Sequence, residues 1–245
     1  MNKTKGLIFT ASLVLATTFT AVAASPPKAA EKTAEHKSEL VPKGYRFFGE
    51  MYGDLNGDGK DDYVLIIKGT DKMNVRGING LDRSRRGIMI FFNNGNNYQL
   101  AVDNRRCFSS EDEDGGNYSP PELSVSIAKG NLYIAYDHGR YGNWKYTFRY
   151  RNGNFELIGY DDLSYITPIW VIDYQTSINF LTKKRQTKTN VNKEAEGGDE
   201  VFEETWSNIE VKKLLKLSEI SDFDELYRQY IEQYIRTTTT TGDNR

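Results

Sequence analysis

The chain has 245 residues, of which 38% are hydrophobic and 27% charged, and its mean hydropathy is −0.64. This is the composition of a water-soluble protein that is long enough to bury a sizeable core. Aromatic residues reach 13%, which excludes wholesale disorder, and a formal net charge of −2 supplies no basic surface for nucleic acid.

Residues 1–24 have the pattern of a cleaved signal peptide. Lys3 and Lys5 provide a positive start, Leu7–Ala24 carries no charge, and Ala21-Val22-Ala23 is a small-residue cleavage signal. An uncleaved membrane anchor is the alternative, although Ser and Thr dilute the apolar stretch. Cleavage removes two basic residues and leaves a net charge of about −4. The pattern predicts a periplasmic or secreted protein without a membrane span after cleavage.

The mature chain divides into a linker, one domain and a tail. Residues 25–43 are small and charged without periodicity, which predicts a flexible linker. A β-rich domain is predicted over residues 44–236 and a disordered tail over 237–245. Cys107 is the only cysteine, so no internal disulfide can form, and we interpret it as a small core residue.

Runs of β-branched and aromatic residues recur through this domain, and Gly, Asn and Asp clusters separate them. Tight hairpins are predicted at Asn94-Gly95, Lys129-Gly130 and Asn152-Gly153, because these residues tolerate positive φ. The fold class is therefore mainly β, a single antiparallel meander that is sandwich-like or partial-propeller-like. The predicted strands are Tyr45–Met51, Tyr63–Lys68, Gly87–Phe92, Tyr98–Val102, Leu123–Ala128, Leu132–Asp137, Trp144–Arg151, Phe155–Tyr160, Thr176–Thr182 and Gln186–Val191.

One amphipathic α-helix is predicted over residues 221–236. Ser221 precedes three acidic residues in the next four positions, as at a capped helix start. Apolar residues then follow at helical spacing, which predicts packing against the sheet. Residues 209–217 fit either a strand or a helix. The apolar stripe comprises Phe223, Leu226, Tyr227, Tyr230, Ile231, Tyr234 and Ile235.

The sharpest motif is DLNGDGKDD at residues 54–62. Oxygen donors occur at every second position, and Gly59 permits the sharp turn that would wrap them around one point. Calcium prefers six to eight oxygen ligands in flexible geometry, and this loop supplies five or six. An EF-hand would need a Glu at position twelve, where Leu65 stands. The predicted ligands of a structural Ca²⁺ are Asp54, Asn56, Asp58, the Lys60 carbonyl and Asp62.

This loop resembles the calcium loops of FG-GAP and VCBS-type repeats, in which DxNxDGxxD leads directly into a β-strand. The resemblance implies the same five ligand positions. The wider order of motifs over residues 45–182 looks like a group of uncharacterised bacterial exported proteins, which implies a single β-rich domain and no particular activity. A full propeller would repeat the calcium motif, whereas this chain carries it once.

Residues 136–144 (YDHGRYGNW) concentrate aromatic, acidic, imidazole and guanidinium groups. Tyr, Trp and Arg are the residues that interfaces favour, so this segment is a candidate surface for a protein or glycan partner. A polar hairpin loop, whose aromatic residues belong to the flanking strands, is the alternative interpretation. The candidate contact residues are Tyr136, His138, Arg140, Tyr141 and Trp144.

Motifs of common enzyme classes are missing: there is no zinc-binding HExxH, no GxSxG elbow and no phosphate-binding loop. The sequence therefore favours an exported calcium-binding β-domain, a monomer with a non-catalytic role in binding a protein or cell-envelope glycan. A carboxylate-based glycan hydrolase remains an alternative, because its acidic pair need not be close in sequence. An inhibitor or immunity-type protein is a second alternative, with residues 111–114 as its protruding loop.

Overall fold

The computed structural model describes residues 37–76, 80–111, 122–166 and 170–233. The predicted signal peptide, most of the predicted linker, residues 112–114, the last three positions of the predicted helix and the predicted tail lie outside these ranges. Within them, no helix combines the length and the apolar character needed to cross a membrane.

The first large sheet has four antiparallel strands in the spatial order β1-β2-β5-β6. Between β2 and β5 lie a short 3₁₀ helix, Lys72–Asn74, and a two-stranded ribbon of β3 (Val75–Arg76) and β4 (Leu81–Asp82). The four main strands are β1 (Tyr45–Gly53), β2 (Asp62–Gly69), β5 (Arg86–Asn93) and β6 (Tyr98–Phe108).

The second large sheet is a seven-stranded antiparallel meander, in which each strand pairs with the next one along the chain. A 3₁₀ turn, Gly139–Tyr141, interrupts it between β8 and β9. Its strands are β7 (Glu122–Ala128), β8 (Asn131–Asp137), β9 (Asn143–Arg151), β10 (Asn154–Ile166), β11 (Val171–Asn179), β12 (Lys184–Asn190) and β13 (Phe202–Asn208).

The predicted fold class is confirmed: the protein is mainly antiparallel β. In detail, the strands are divided between two large sheets rather than one. The predicted hairpins also form, with positive φ at Gly95 (90°), Lys129 (51°) and Asn152 (52°). Strand β13 was not predicted, since it is an exposed edge strand without a buried face.

The main core lies between the two large sheets. Val64 and Ile90 from the first sheet belong to the same buried cluster as Ile134 and Phe148 from the second. The other face of the first sheet carries a smaller cluster that includes Leu40. Leu40 is fully buried, so the structure differs from the predicted flexible linker at this point: an apolar side chain there gains more from burial than from solvation.

Residues 209–233 complete the core. The Phe223 ring is fully buried, and its centroid lies 5.0 Å from that of Phe108 and 5.3 Å from that of Tyr146. The side-chain amide of Asn104 on β6 donates to the main-chain carbonyls of Leu217 and Ile220, both at 2.8 Å. These contacts fix the segment against both sheets.

The C-terminal helix begins later than predicted. Residues 221–225 form a turn, helical structure runs from 226 to 233, and Tyr227–Ile231 within it is π-helical. The predicted start at residue 221 is wrong because the N–H of Phe223 donates to the Cys107 carbonyl (3.0 Å), and Asp222 pairs with Arg85 (3.1 Å). These tertiary contacts hold the turn. Residues 209–216 form no strand or helix apart from an isolated β-bridge between Lys216 and Glu156, and a 3₁₀ turn follows at Leu217–Glu219.

Cys107 is a buried core residue, as predicted. Burial raises the pKa of its thiol to about 12, so the side chain stays protonated at neutral pH.

Candidate calcium loop and aromatic pocket

The calcium-loop candidate joins β1 to β2 at the junction of the two large sheets. Leu55, the second residue of the motif, is only 3% exposed and belongs to the inter-sheet core. Just before the loop, the Gly53 backbone approaches Ile127 of the second sheet so closely that a Cβ would lie 2.7 Å from Ile127 Cγ2. The loop is thus held from both sheets.

The Asp54 carboxylate organises the first half of the loop. Its Oδ1 accepts hydrogen bonds from the N–H groups of Gly57 (2.7 Å) and Asp58 (3.2 Å), and its Oδ2 accepts one from Gly59 (2.9 Å). Gly57 and Gly59 have φ values of 81° and 80°, which glycine adopts without strain. These N–H groups, that of Gly59 foremost, hold the pKa of Asp54 below its ordinary value.

The Asp62 carboxylate organises the second half and is fully buried. Its Oδ2 accepts from the N–H groups of Leu55 (2.8 Å) and Asn56 (3.2 Å), and its Oδ1 accepts from Asn93 at the end of β5 (3.0 Å). Burial raises the pKa of Asp62, although these three hydrogen bonds favour the charged form.

The remaining predicted ligands lie on the exposed side of the loop. Asn56 Oδ1 accepts from the N–H of Asp58 (2.9 Å), and Asp58 Oδ1 accepts from that of Lys60 (2.9 Å). The Lys60 ammonium lies 3.7 Å from Asp58 Oδ2. Each predicted side-chain ligand therefore already accepts at least one hydrogen bond from the main chain.

The donor chemistry fits a hard cation, because all five predicted ligands are oxygens. The carboxylates, however, are not gathered into a ready-made site. In the part of the chain that the structure describes, no three His, Cys, Asp or Glu side chains are grouped closely enough to hold a metal ion.

The candidate partner segment is only partly a surface. Tyr136 is fully buried and points into the inter-sheet core, so its prediction as a contact residue is wrong. The same alternation that buries Ile134 also buries Tyr136. His138 stacks on Trp144 with centroids 3.8 Å apart. Arg140 and Tyr141 are exposed, and Arg140 Nη2 donates to the Tyr141 hydroxyl (2.9 Å).

Trp144 instead lines a pocket of about 330 Å³ on the core-facing side of β9, β10 and β11. Tyr146 and Tyr160, which are 1% and 3% exposed, form its floor. The C-terminal segment covers one side, where the Tyr227 ring lies 5.3 Å from that of Tyr160. The complete lining, which we call the aromatic pocket, is Trp144, Tyr146, Tyr160, Asp162, Tyr174, Asp224, Glu225, Tyr227 and Arg228.

Asp162 is a partly buried carboxylate in this lining, and burial raises its pKa above the ordinary 3.8. The Tyr174 hydroxyl donates a hydrogen bond to it, which partly stabilises the charged form. Among the described residues it forms no ion pair. Glu225, in contrast, pairs with Arg228, whose Nε lies 2.9 Å from Glu225 Oε2.

On the opposite face of the same strands, the Asp161 carboxylate has charged and polar partners. The Asp161 carboxylate lies 3.1 Å from the Lys145 ammonium and accepts a hydrogen bond from Ser177 Oγ at 2.8 Å. These side chains line a second cavity of about 270 Å³. Asp161 thus has a cation as its partner, whereas Asp162, which contributes to the lining of both cavities, also lies among aromatic rings and forms no described ion pair.

Glu111 begins the predicted protruding acidic loop, yet it faces the protein. Its carboxylate lies 2.7 Å from the fully buried ammonium of Lys68, and Asp82 lies 3.2 Å from the same ammonium. Glu111 therefore neutralises a buried cation. Residues 112–114 lie outside the described ranges.

The sequence did not single out the aromatic pocket, because its lining comes from three strands and the C-terminal segment. One local signal was present: Tyr160 and Asp162 lie two residues apart on a strand, so they share a face.

No family model, curated protein or solved structure matches the chain. The resemblance to FG-GAP and VCBS-type loops therefore stays a prediction from the motif.

Proposed function

We propose that the protein is an exported β-domain with a structural Ca²⁺ site at residues 54–62 and a non-catalytic role in binding a protein or cell-envelope glycan. The observation that carries the calcium proposal is the position of the loop. Leu55 is anchored in the inter-sheet core while Asp62 is tied to β5, so an ion bound between them would brace both sheets.

The loop also concentrates charge. Four carboxylates, those of Asp54, Asp58, Asp61 and Asp62, lie within nine residues, and Lys60 is the one cation in that stretch. A divalent ion held by Asp54, Asn56, Asp58, the Lys60 carbonyl and Asp62 would offset their repulsion. Calcium at about 100 times its dissociation constant would add about 2.7 kcal/mol of stability.

Thermal unfolding in EDTA, in millimolar Ca²⁺ and in millimolar Mg²⁺ tests this proposal. We expect a rise in the unfolding midpoint that is specific to calcium and is lost in Asp58→Ala. Asp71→Ala is the matched control, since Asp71 is an exposed aspartate that only caps a short turn at Met73. No shift in the unmodified protein, or an equal shift with magnesium, would reject a calcium site.

The aromatic pocket favours one second candidate function, carboxylate-based glycan hydrolysis. Asp162, Asp224 and Glu225 share its lining with four tyrosines and Trp144. Asp162, with its raised pKa, has the property of a general acid. Release of reducing ends from cell-wall glycan that disappears in Asp162→Asn would establish hydrolysis and replace the non-catalytic proposal.

A further inference from the structure

The aromatic pocket combines aromatic rings with an excess of negatively charged groups. Its floor and walls present aromatic rings from Trp144, Tyr146, Tyr160, Tyr174 and Tyr227, and its charged groups are three carboxylates and a single guanidinium.

That guanidinium is not directed to Asp162. Arg228 is directed to Glu225, with which it forms the Nε hydrogen bond described above and a further contact through Nη2. Asp162 lies deeper, beside Tyr160 and Tyr174, and its only described side-chain partner is the neutral Tyr174 hydroxyl. Asp162 is partly buried, and withdrawing a carboxylate from water is costly unless a positive group faces it.

We infer that the aromatic pocket binds a small organic cation, with its ammonium group against Asp162 and the less buried rings of Trp144, Tyr174 and Tyr227 beside its carbon substituents. Cations are attracted to aromatic faces within about 6 Å of the ring centroid, and the attraction grows where water is excluded. Neutral sugars would also stack on these rings, but they would leave the Asp162 charge uncompensated. A volume of about 330 Å³ accommodates a compact ammonium compound rather than a chain segment.

This inference rests on the proposed binding role and specifies the chemistry of its ligand. It is independent of calcium, because the loop at residues 54–62 contributes no residue to the pocket lining. The two proposals can therefore fail separately: the calcium site is tested by the unfolding midpoint and the pocket by ligand titration.

Titration of the full chain with choline, followed by the indole N–H resonances in NMR spectra, tests the inference. The chain has three tryptophans. Trp144 lines the pocket, whereas Trp170 and Trp206 are more than half exposed elsewhere and serve as internal controls. We expect the Trp144 resonance to shift with saturation while the other two stay in place.

A neutral isostere and a pair of variants separate charge from shape. We expect 3,3-dimethylbutan-1-ol, which replaces the nitrogen of choline by carbon, to bind at least about tenfold more weakly. Asp162→Asn should weaken choline binding by at least about tenfold, whereas Asp161→Asn, on the opposite face of β10, should leave it within about twofold.

Glucosamine and glucose form a second matched pair, in which preference for glucosamine would indicate that the ammonium is carried by a sugar. Equal binding of choline and its neutral isostere, equal loss in both aspartate variants, or no shift of Trp144 with choline or glucosamine would each overturn the inference.

Discussion

The carboxylate of Asp62 and the backbone N–H of Asn93 are joined by a 3.0 Å hydrogen bond, although 31 residues separate them. This bond ties the end of the candidate calcium loop to the end of the central strand β5. The second oxygen of Asp62 accepts from Leu55, which is in the core. Asp62 therefore stabilises the fold even without a metal ion.

Replacement of Asp62 by Ala is expected to destabilise the protein by more than about 2 kcal/mol in EDTA, because it leaves the N–H groups of Leu55, Asn56 and Asn93 without this acceptor. The adjacent exposed Asp61→Ala should stay within about 0.5 kcal/mol. Urea unfolding in EDTA measures both values. Equal effects of the two substitutions would contradict a structural role for Asp62.

A pH dependence is expected from Asp162. Since its pKa is raised above 3.8 by burial, the folded state holds this proton more tightly than the unfolded chain does. The contribution to stability is complete below the unfolded pKa and is lost as pH rises through the folded pKa. The unfolding midpoint of Asp162→Asn should therefore match that of the unmodified protein near pH 3 and exceed it at pH 7. A lower midpoint at pH 7 would show that the charged form is the stabilising one.

Phe223 tests the role of the C-terminal segment. Its fully buried ring packs among Phe108, Tyr146 and Phe148. Phe223→Ala should cost about 3–5 kcal/mol, as expected for a large ring removed from a close-packed core. Phe47→Ala is the matched control, because that ring is 51% exposed and should cost about 1 kcal/mol or less. Similar unfolding free energies for the two variants would mean that the segment adds little to the core.

Gly142 tests how the turn before Trp144 is built. Its φ is 119°, and a Cβ there would lie 2.0 Å from the Leu163 carbonyl oxygen of β10. Gly142→Ala should therefore destabilise the protein by more than about 2 kcal/mol. Gly139 lies in the same turn and has a φ of 57°, but no heavy atom lies within 4 Å of the position of an added Cβ. Gly139→Ala should therefore cost only about 1 kcal/mol of stability. Thermal unfolding compares the stability of the two variants. Equal losses of stability would rule out the clash with the Leu163 carbonyl as the cause.

Local patterns predicted most strands and their turns. In β9, which was predicted as Trp144–Arg151, the apolar residues Trp144, Tyr146, Phe148 and Tyr150 alternate with polar ones and all pack in or against the main core, since a strand places every second side chain on one face. The division into two sheets was not predictable in this way, because pairing partners depend on the path of the chain and not on periodicity.

Two of the corrections, those of Tyr136 and of the helix start, also have a structural explanation. Tyr136 is a residue type typical of interfaces, yet its register opposite Trp144 directs it into the core. The sequence around Asp222 and Phe223 is typical of a helix start. The ion pair of Asp222 with Arg85 and the hydrogen bond from Phe223 to Cys107 outweigh the modest free energy of a helix cap. The aromatic pocket was not predicted, because Asp162 and Asp224 are far apart in sequence. They line the same pocket only once residues 209–233 have packed against the second sheet.

The Asn104 bonds to Leu217 and Ile220 span 113 and 116 residues. They place the final contacts of the inter-sheet core late in the order of synthesis, because a ribosome must first supply almost the whole chain. Until then the two sheets lack the segment that covers their shared interior. When the chain emerges N-terminus first, from a ribosome or through a translocation channel, the interior between the sheets consequently remains uncovered until residues 209–233 have followed.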